Sequence, residues 1–205
     1  MSASIAGAIV AGGASSRFHG QAKGLLRVGG RRIIDRIADA LRPVVDTLAV
    51  VANAPEAGGW LTGVAAWRDE RPERASVVGI HTALRHADTA IVVAWDMPFV
   101  TGALFRLIAD SLTPDAGAVV PVGPRGPEPM CALYTRDCLA TIEDALGAGD
   151  LRMSSLVERL PRVRLVPLRE IERVGDPARI FFNVNAPEDL RRAEQMAGSD
   201  DASRQ

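Results

Sequence analysis

Short apolar runs without polar alternation recur along this chain, and segments of helical periodicity separate them. Ile5–Val10 is the first, β-branched and ended by Gly12-Gly13. Leu48–Val51, Val64–Trp67, Ala90–Ala94 and Gly117–Pro121 follow. Between them Ile33, Ile34, Ile37, Ala38 and Leu41 recur at helical spacing, with Pro43 as a stop. Val77–His86 and Ala103–Ser111 also read as helices. A strand that is apolar on every residue must be covered on both faces, which an antiparallel hairpin sheet with one wet face does not provide. The pattern therefore predicts an α/β three-layer sandwich with a mostly parallel, Rossmann-like central sheet.

The second half is less regular. Gly123–Pro129 reads as a loop, Met130–Tyr134 as a strand, and Asp137–Leu146 and Met153–Leu160 as helices. Val163–Pro167 alternates like a half-exposed strand, Phe181–Val184 is short and strand-like, and Pro187–Met196 is helical with Pro187 in its first turn. With no internal repeat and no dividing linker, residues 1–197 are expected to form one domain and 198–205 a frayed tail.

Composition narrows the function. A formal net charge of −1 leaves no bulk electrostatic footprint for nucleic acid. No apolar stretch reaches the roughly 18–20 residues of a membrane span. Cys131 and Cys138 fit no metal or redox spacing and read as small core residues of a reduced, cytoplasmic protein. His19, His81 and His86 lack zinc-site spacing. Of 24 basic residues 23 are arginine, so the single lysine, Lys23, is conspicuous.

Parallel sheets bind ligands beyond the carboxyl ends of their strands. There the sequence places Gly12-Gly13 after the first strand, Asn53 after the second, Asp69 after the third and Asp96 after the fourth. Glycines at such a place let backbone amides approach an anion. The loop matches neither G-x-x-x-x-G-K-[ST] nor G-x-G-x-x-G; it is A-G-G-x-S-S-R, five residues, then K-G. This loop resembles the signature loop of the nucleotidyltransferases, and the resemblance implies Lys23 as a compact charge on phosphate oxygens and Arg17 as a planar fork on the leaving diphosphate. Asp96 is a natural Mg²⁺ ligand, since that ion takes one or two carboxylates plus substrate phosphates and water. Asn53 is placed to hydrogen-bond a base or to cap a turn, and Asp69 lies in a charged run, Arg68–Arg74, of the kind that forms a solvated face.

Taken together, Val10-Ala-Gly-Gly-Ala-Ser-Ser-Arg-Phe, Lys23-Gly-Leu-Leu, Gly29-Gly-Arg-Arg-Ile-Ile, Trp95-Asp-Met-Pro-Phe, Glu128-Pro-Met-Cys-Ala-Leu-Tyr and Phe181-Phe-Asn-Val-Asn-Ala-Pro-Glu-Asp-Leu190 resemble the molybdenum cofactor guanylyltransferases, in family order and over nearly the whole chain. The resemblance implies GMP transfer from GTP to the terminal phosphate of molybdenum-bound molybdopterin, with release of pyrophosphate. It implies GTP and molybdenum-molybdopterin as substrates, Mg²⁺ as cofactor, and molybdoenzymes or other cofactor-biosynthesis proteins as partners. By position, Val10, Ala11, Gly12, Gly13, Ser15 and Lys23 would contact the nucleotide. Asn53, Asp69 and Gly79 would lie near base or ribose, and Asp96 would hold the metal. Arg17, Lys23 and Asp96 would be catalytic, and Glu128, Asn183 and Asn185 would face the acceptor.

The chain departs from the family pattern at three places: Ala22 stands where an acidic residue is frequent, Trp95 where cysteine is, and Ala75-Ser-Val-Val-Gly79 where G-P-L-A-G is. The last leaves CMP transfer to the same pterin, or a nucleotidyltransferase of other specificity, as an alternative. A non-catalytic nucleotide-binding accessory protein is the alternative of another class.

Overall fold

The computed structural model describes residues 4–11, 22–71, 73 and 75–202. In chain order the described strands are β1 (Ala6–Val10), β2 (Arg27–Val28), β3 (Arg31–Arg32), β4 (Thr47–Val51), β5 (Ala65–Trp67), β6 (Thr89–Ala94), β7 (Ala118–Gly123), β8 (Gly126–Pro127), β9 (Cys131–Thr135) and β10 (Val163–Val166). The α-helices are α1 (Ile33–Leu41), α2 (Ser76–His86), α3 (Gly102–Asp110), α4 (Leu139–Gly147), α5 (Met153–Arg159), α6 (Leu168–Ile171), α7 (Pro177–Ile180) and α8 (Pro187–Ala202).

The main sheet runs β10-β7-β9-β6-β1-β4-β5, and β8 pairs with β7. β9 is antiparallel to both neighbours, whereas β10–β7 and the run β6-β1-β4-β5 pair in parallel. The predicted mostly parallel sheet is therefore present. Its side chains alternate between two cores. Ile9, Val50 and Ile91 pack with α1 and α3 through Ile33, Ile37, Leu104 and Phe105. Ala8, Val10 and Val92 pack with α2 and α4 through Ile80, Leu84 and Ile142. Burial on both sides explains why the parallel strands read as continuous apolar runs.

Strand order reverses at β1, with β4 on one side and β6 on the other. Register brings Val10 level with Val51 and with Ala94, so three carboxyl ends share one edge. That is the crevice where open α/β sheets take their ligands.

Three details differ from expectation. Gly123–Pro129 is a hairpin rather than a plain loop, because β8 pairs with the end of β7. Phe181–Val184 forms no strand: Phe181 and Phe182 donate backbone hydrogen bonds back into α7, and Val184 donates to Asp96 O. Their apolar character serves burial, with Phe181 and Val184 inside the first core. Helix α8 continues past Met196 to Ala202. The β2–β3 hairpin was not foreseen; Gly29 and Gly30 both have positive φ (57° and 71°), the conformation its two-residue turn requires. Among the described residues no helix is long and apolar enough to cross a membrane.

Candidate functional site

At the switch point Trp95 N donates to Val10 O (3.2 Å), extending the β1–β6 pairing by one residue. The chain then turns at Asp96, whose carbonyl accepts from Val184 N (2.8 Å). The C-terminal segment is thereby fixed against the end of β6. Lys23 opens a 3-10 turn, Lys23–Leu25, closed by Leu26 N donating to Lys23 O (3.0 Å). Gly24 of that turn lies on the Trp95 indole: a Cβ there would stand 2.6 Å from Trp95 Cε3. Trp95 in turn stacks on Trp60 (centroids 5.2 Å apart). Large rings thus set the height of the turn that carries the lysine.

Lys23 Nζ reaches two acceptors. It donates to Asn185 Oδ1 (2.9 Å) and lies 3.5 Å from Asp96 Oδ2, the lysine and aspartate side chains being 16% and 15% exposed. Asn185 is held in its turn by the first turn of α8, where Asp189 Oδ2 accepts from Asn185 N (3.0 Å) and Ala186 N (2.9 Å). The structure thus brings together Lys23 and Asp96, as expected, and adds Asn185, which the sequence assigned to the acceptor side.

Burial pushes the Asp96 carboxyl above the usual carboxylate range, and the Lys23 charge opposes that shift without cancelling it. Asp96 Oδ1 is buried and has no hydrogen-bond partner among the described residues. A buried oxygen of that kind costs free energy until something pairs with it. Asp96 Oδ1, Asp96 Oδ2 and Asn185 Oδ1 are hard oxygen donors, the type Mg²⁺ prefers. No three His, Cys, Asp or Glu residues converge on a metal position among the described residues. The site fits an ion that completes its shell with substrate phosphates and water, as Mg²⁺ does.

A second polar group lies beyond β4 and β5. Asn53 Nδ2 donates to Asp69 Oδ2 (3.0 Å), Asp69 N donates to Asn53 Oδ1 (2.9 Å), and Thr82 of α2 donates through Oγ1 to Asp69 Oδ1 (2.7 Å). Asp69 is therefore a fixed acceptor rather than part of a solvated face, and Thr82 is a member that sequence reasoning missed. Gly79 is buried in α2, where an added Cβ would fall 2.5 Å from Val10 Cγ1. Close packing of α2 on β1 is reason enough for that glycine.

On the other flank, Glu128, Asn183 and Asn185 line a single cavity of about 270 Å³ with Arg125, Phe181 and Arg192. The arginines were not singled out in the sequence, because 23 arginines hide any two. Asn183 Nδ2 donates to Phe181 O (3.0 Å), and Asn185 belongs both to this cavity and to the lysine–aspartate centre. Val10 and Ala11 stand at the carboxyl end of β1, with Ala11 N donating to Val51 O (2.9 Å). Gly12, Gly13, Ser15 and Arg17 lie outside the described residues.

The family described as MobA-like NTP transferase domain matches residues 7–163. A molybdenum cofactor guanylyltransferase of Desulfosudis oleivorans is 36% identical over 93% of this chain and 94% of the relative. A probable molybdenum cofactor guanylyltransferase of Pelotomaculum thermopropionicum is 34% identical over 93% and 92%. The crystal structure of molybdopterin-guanine dinucleotide biosynthesis protein A from Archaeoglobus fulgidus superposes with a TM-score of 0.81 at 26% identity, covering 95% of this chain and 99% of that one. With the sheet order, the lysine–aspartate centre and these likenesses in agreement, the chain belongs to the MobA-like NTP transferase domain family.

Proposed function

We propose that this protein transfers GMP from GTP to the terminal phosphate of molybdenum-bound molybdopterin and releases pyrophosphate, in the cytoplasm, for delivery to molybdoenzymes or their cofactor-biosynthesis proteins. The observation that carries the reading is the Lys23–Asp96–Asn185 centre at the sheet's switch point, with a buried carboxylate oxygen that has no partner among the described residues. Relatives named for this activity support it.

The attacking group needs no general base. A phosphate monoester has a second pKa of about 6 and is already ionised near neutrality. The difficulty is bringing one anion against another and aligning it opposite the leaving pyrophosphate. Asp96, with Asn185 Oδ1, would hold Mg²⁺, which supplies positive charge to the phosphates when bound. Lys23 would exchange its contacts with Asn185 and Asp96 for phosphate oxygens. By the family likeness, Arg17 and the backbone amides of Gly12, Gly13 and Ser15 would contact the phosphates, as would Val10 and Ala11 at the carboxyl end of β1. Asn53 and Asp69, fixed by each other and by Thr82, would orient base or ribose. Gly79 acts indirectly, by letting α2 close on Val10. Glu128, Asn183 and Asn185 would face the acceptor.

Pyrophosphate release is measured with loaded pterin, Mg²⁺ and each of the four nucleoside triphosphates in parallel. GTP should give turnover, and Asp96→Asn should abolish it in a protein that still folds. Turnover with CTP instead would make this a cytidylyltransferase. Unchanged metal dependence in Asp96→Asn would remove Asp96 from the site.

A further inference from the structure

Glu128 sits between β8 and β9, across the sheet edge from Asn53 and Asp69, with β1 and β6 between the two groups. Its backbone is pinned at both ends, Glu128 N donating to Pro121 O and Glu128 O accepting from Cys131 N (both 2.9 Å). Glu128 and Phe181 both line the cavity and both lie against Gly123, where a Cβ would stand 2.6 Å from Glu128 Oε1 and 2.9 Å from Phe181 Cδ2. Gly123 thus gives both the carboxylate and the Phe181 ring their seats. Burial pushes the Glu128 carboxyl up, and the charge of Arg125 is the counterweight. Its oxygens make no hydrogen bond among the described residues. A half-buried carboxylate without donors, beside an aromatic ring, is costly in the empty cavity and satisfied by a ligand that brings donors.

We propose that Glu128 reads the donor edge of a 2-amino-4-oxo fused pyrimidine in the acceptor. That edge presents a ring N–H beside an exocyclic NH₂, two parallel donors matched to the two oxygens of one carboxylate. The heterocycle packs beside Phe181, and Arg125 and Arg192 at the rim face the anionic groups of the same molecule. The assignment rests on the guanylyl-transfer reading above and adds how the acceptor is recognised. Guanine carries the same edge, so the source must be separated by experiment. The pterin is assigned here because Asn185 joins this cavity to the Lys23–Asp96 centre from the side away from Asn53 and Asp69.

The test compares wild type with Glu128→Gln, matched by thermal melting. The KM for acceptor and for GTP is measured in the transfer assay, and inhibition by 6-hydroxymethylpterin is set against inhibition by GMP. Replacing one carboxylate oxygen by an amide removes a charge-assisted bond, worth about ten- to a hundredfold in affinity. The acceptor KM and the pterin inhibition constant should both rise by that factor, with GTP KM and GMP inhibition within twofold. An unchanged pterin constant, or no pterin inhibition in wild type, overturns the proposal. Selective weakening of GMP does so too, by giving the edge to guanine. If wild type transfers no GMP, the broader reading fails separately, and quenching of pterin fluorescence by wild type and variant still decides the role of Glu128.

Discussion

Replacing Lys23 by methionine should weaken the folded protein as well as its catalysis, and the loss of stability should depend on Asp96. The ammonium lies 3.5 Å from Asp96 Oδ2, with both side chains about five-sixths buried. At an effective dielectric constant of about 20, Coulomb's law gives about 5 kcal/mol for unit charges at that distance. The lost pair is not the whole balance: methionine fills the lysine stem's place and avoids desolvating a charge, and water reaches the exposed fraction. A cost of about 2–3 kcal/mol at pH 7 remains, just below the range for removing one partner of a fully buried pair. That is a large part of an ordinary domain's stability of roughly 5–15 kcal/mol, and still leaves a folded protein.

The sign with pH follows from Asp96. Its folded pKa is already raised by burial, and loss of Lys23 raises it further. Below the unfolded pKa of about 3.9 the carboxyl is neutral in both proteins and the difference nearly vanishes. Both proteins lose stability alike as pH rises to the wild type's folded value; the gap opens between that value and the variant's higher one, where only the variant goes on losing stability, and is constant above it. The assay is urea unfolding in metal-free, chelator-containing buffer between pH 4 and 8, for wild type, Lys23→Met, Asp96→Asn and the double variant. The expected coupling energy is about 2 kcal/mol at pH 7. Equal costs of Lys23→Met with and without the Asp96 carboxylate would refute the reasoning, as would a cost independent of pH.

Three other expectations follow from the packing. Gly79→Ala places a methyl 2.5 Å from Val10 Cγ1 between two rigid elements, so chemical denaturation should show a loss of about 1–3 kcal/mol; an unaltered midpoint would contradict that role. Thr82→Val removes the 2.7 Å bond to Asp69 Oδ1, and should cost about 1–2 kcal/mol and raise the KM for the nucleotide more than it lowers kcat. A change in stability with KM untouched would make the Asn53–Asp69–Thr82 group purely structural. Cys138 is buried, donates to Gly117 O (3.0 Å) and has its thiol pushed up to about 11; Cys131 is buried and shifted in the same direction. A thiol reagent should label both only as fast as the protein unfolds, and rapid labelling in native buffer would refute their placement.

The parallel half of the fold was legible because each buried strand had to be apolar on both faces, and each covering helix on one. The legibility ended where residues act across the sequence. Nothing local links Lys23 to Asn185, 162 positions away; the two meet where Val184 is pinned to Asp96 O and Asn185 N to Asp189. Phe181–Val184 misled for a related reason: it is apolar to fill the core, while its amides serve α7 and the carbonyl of Asp96. The β2–β3 hairpin was hidden because its paired residues are three arginines and one valine, and only Gly29-Gly30 marks its turn. Thr82 was hidden on a helix face that reads as core.

The MobA-like NTP transferase domain match covers residues 7–163, and the Lys23–Asp96 centre is completed from beyond that stretch. Asn185 touches the lysine, Val184 fixes the aspartate's backbone, and Asn183 and Arg192 line the neighbouring cavity. One C-terminal segment therefore meets both the Lys23–Asp96 centre and the neighbouring cavity. Docking of α8 reinforces this, since Glu194 Oε2 accepts from Gly29 N (3.0 Å) at the β2–β3 turn. An acceptor in that cavity would meet Asn185 on one face while Lys23 holds it on the other. A single side chain, that of Asn185, thus touches both the lysine and the cavity.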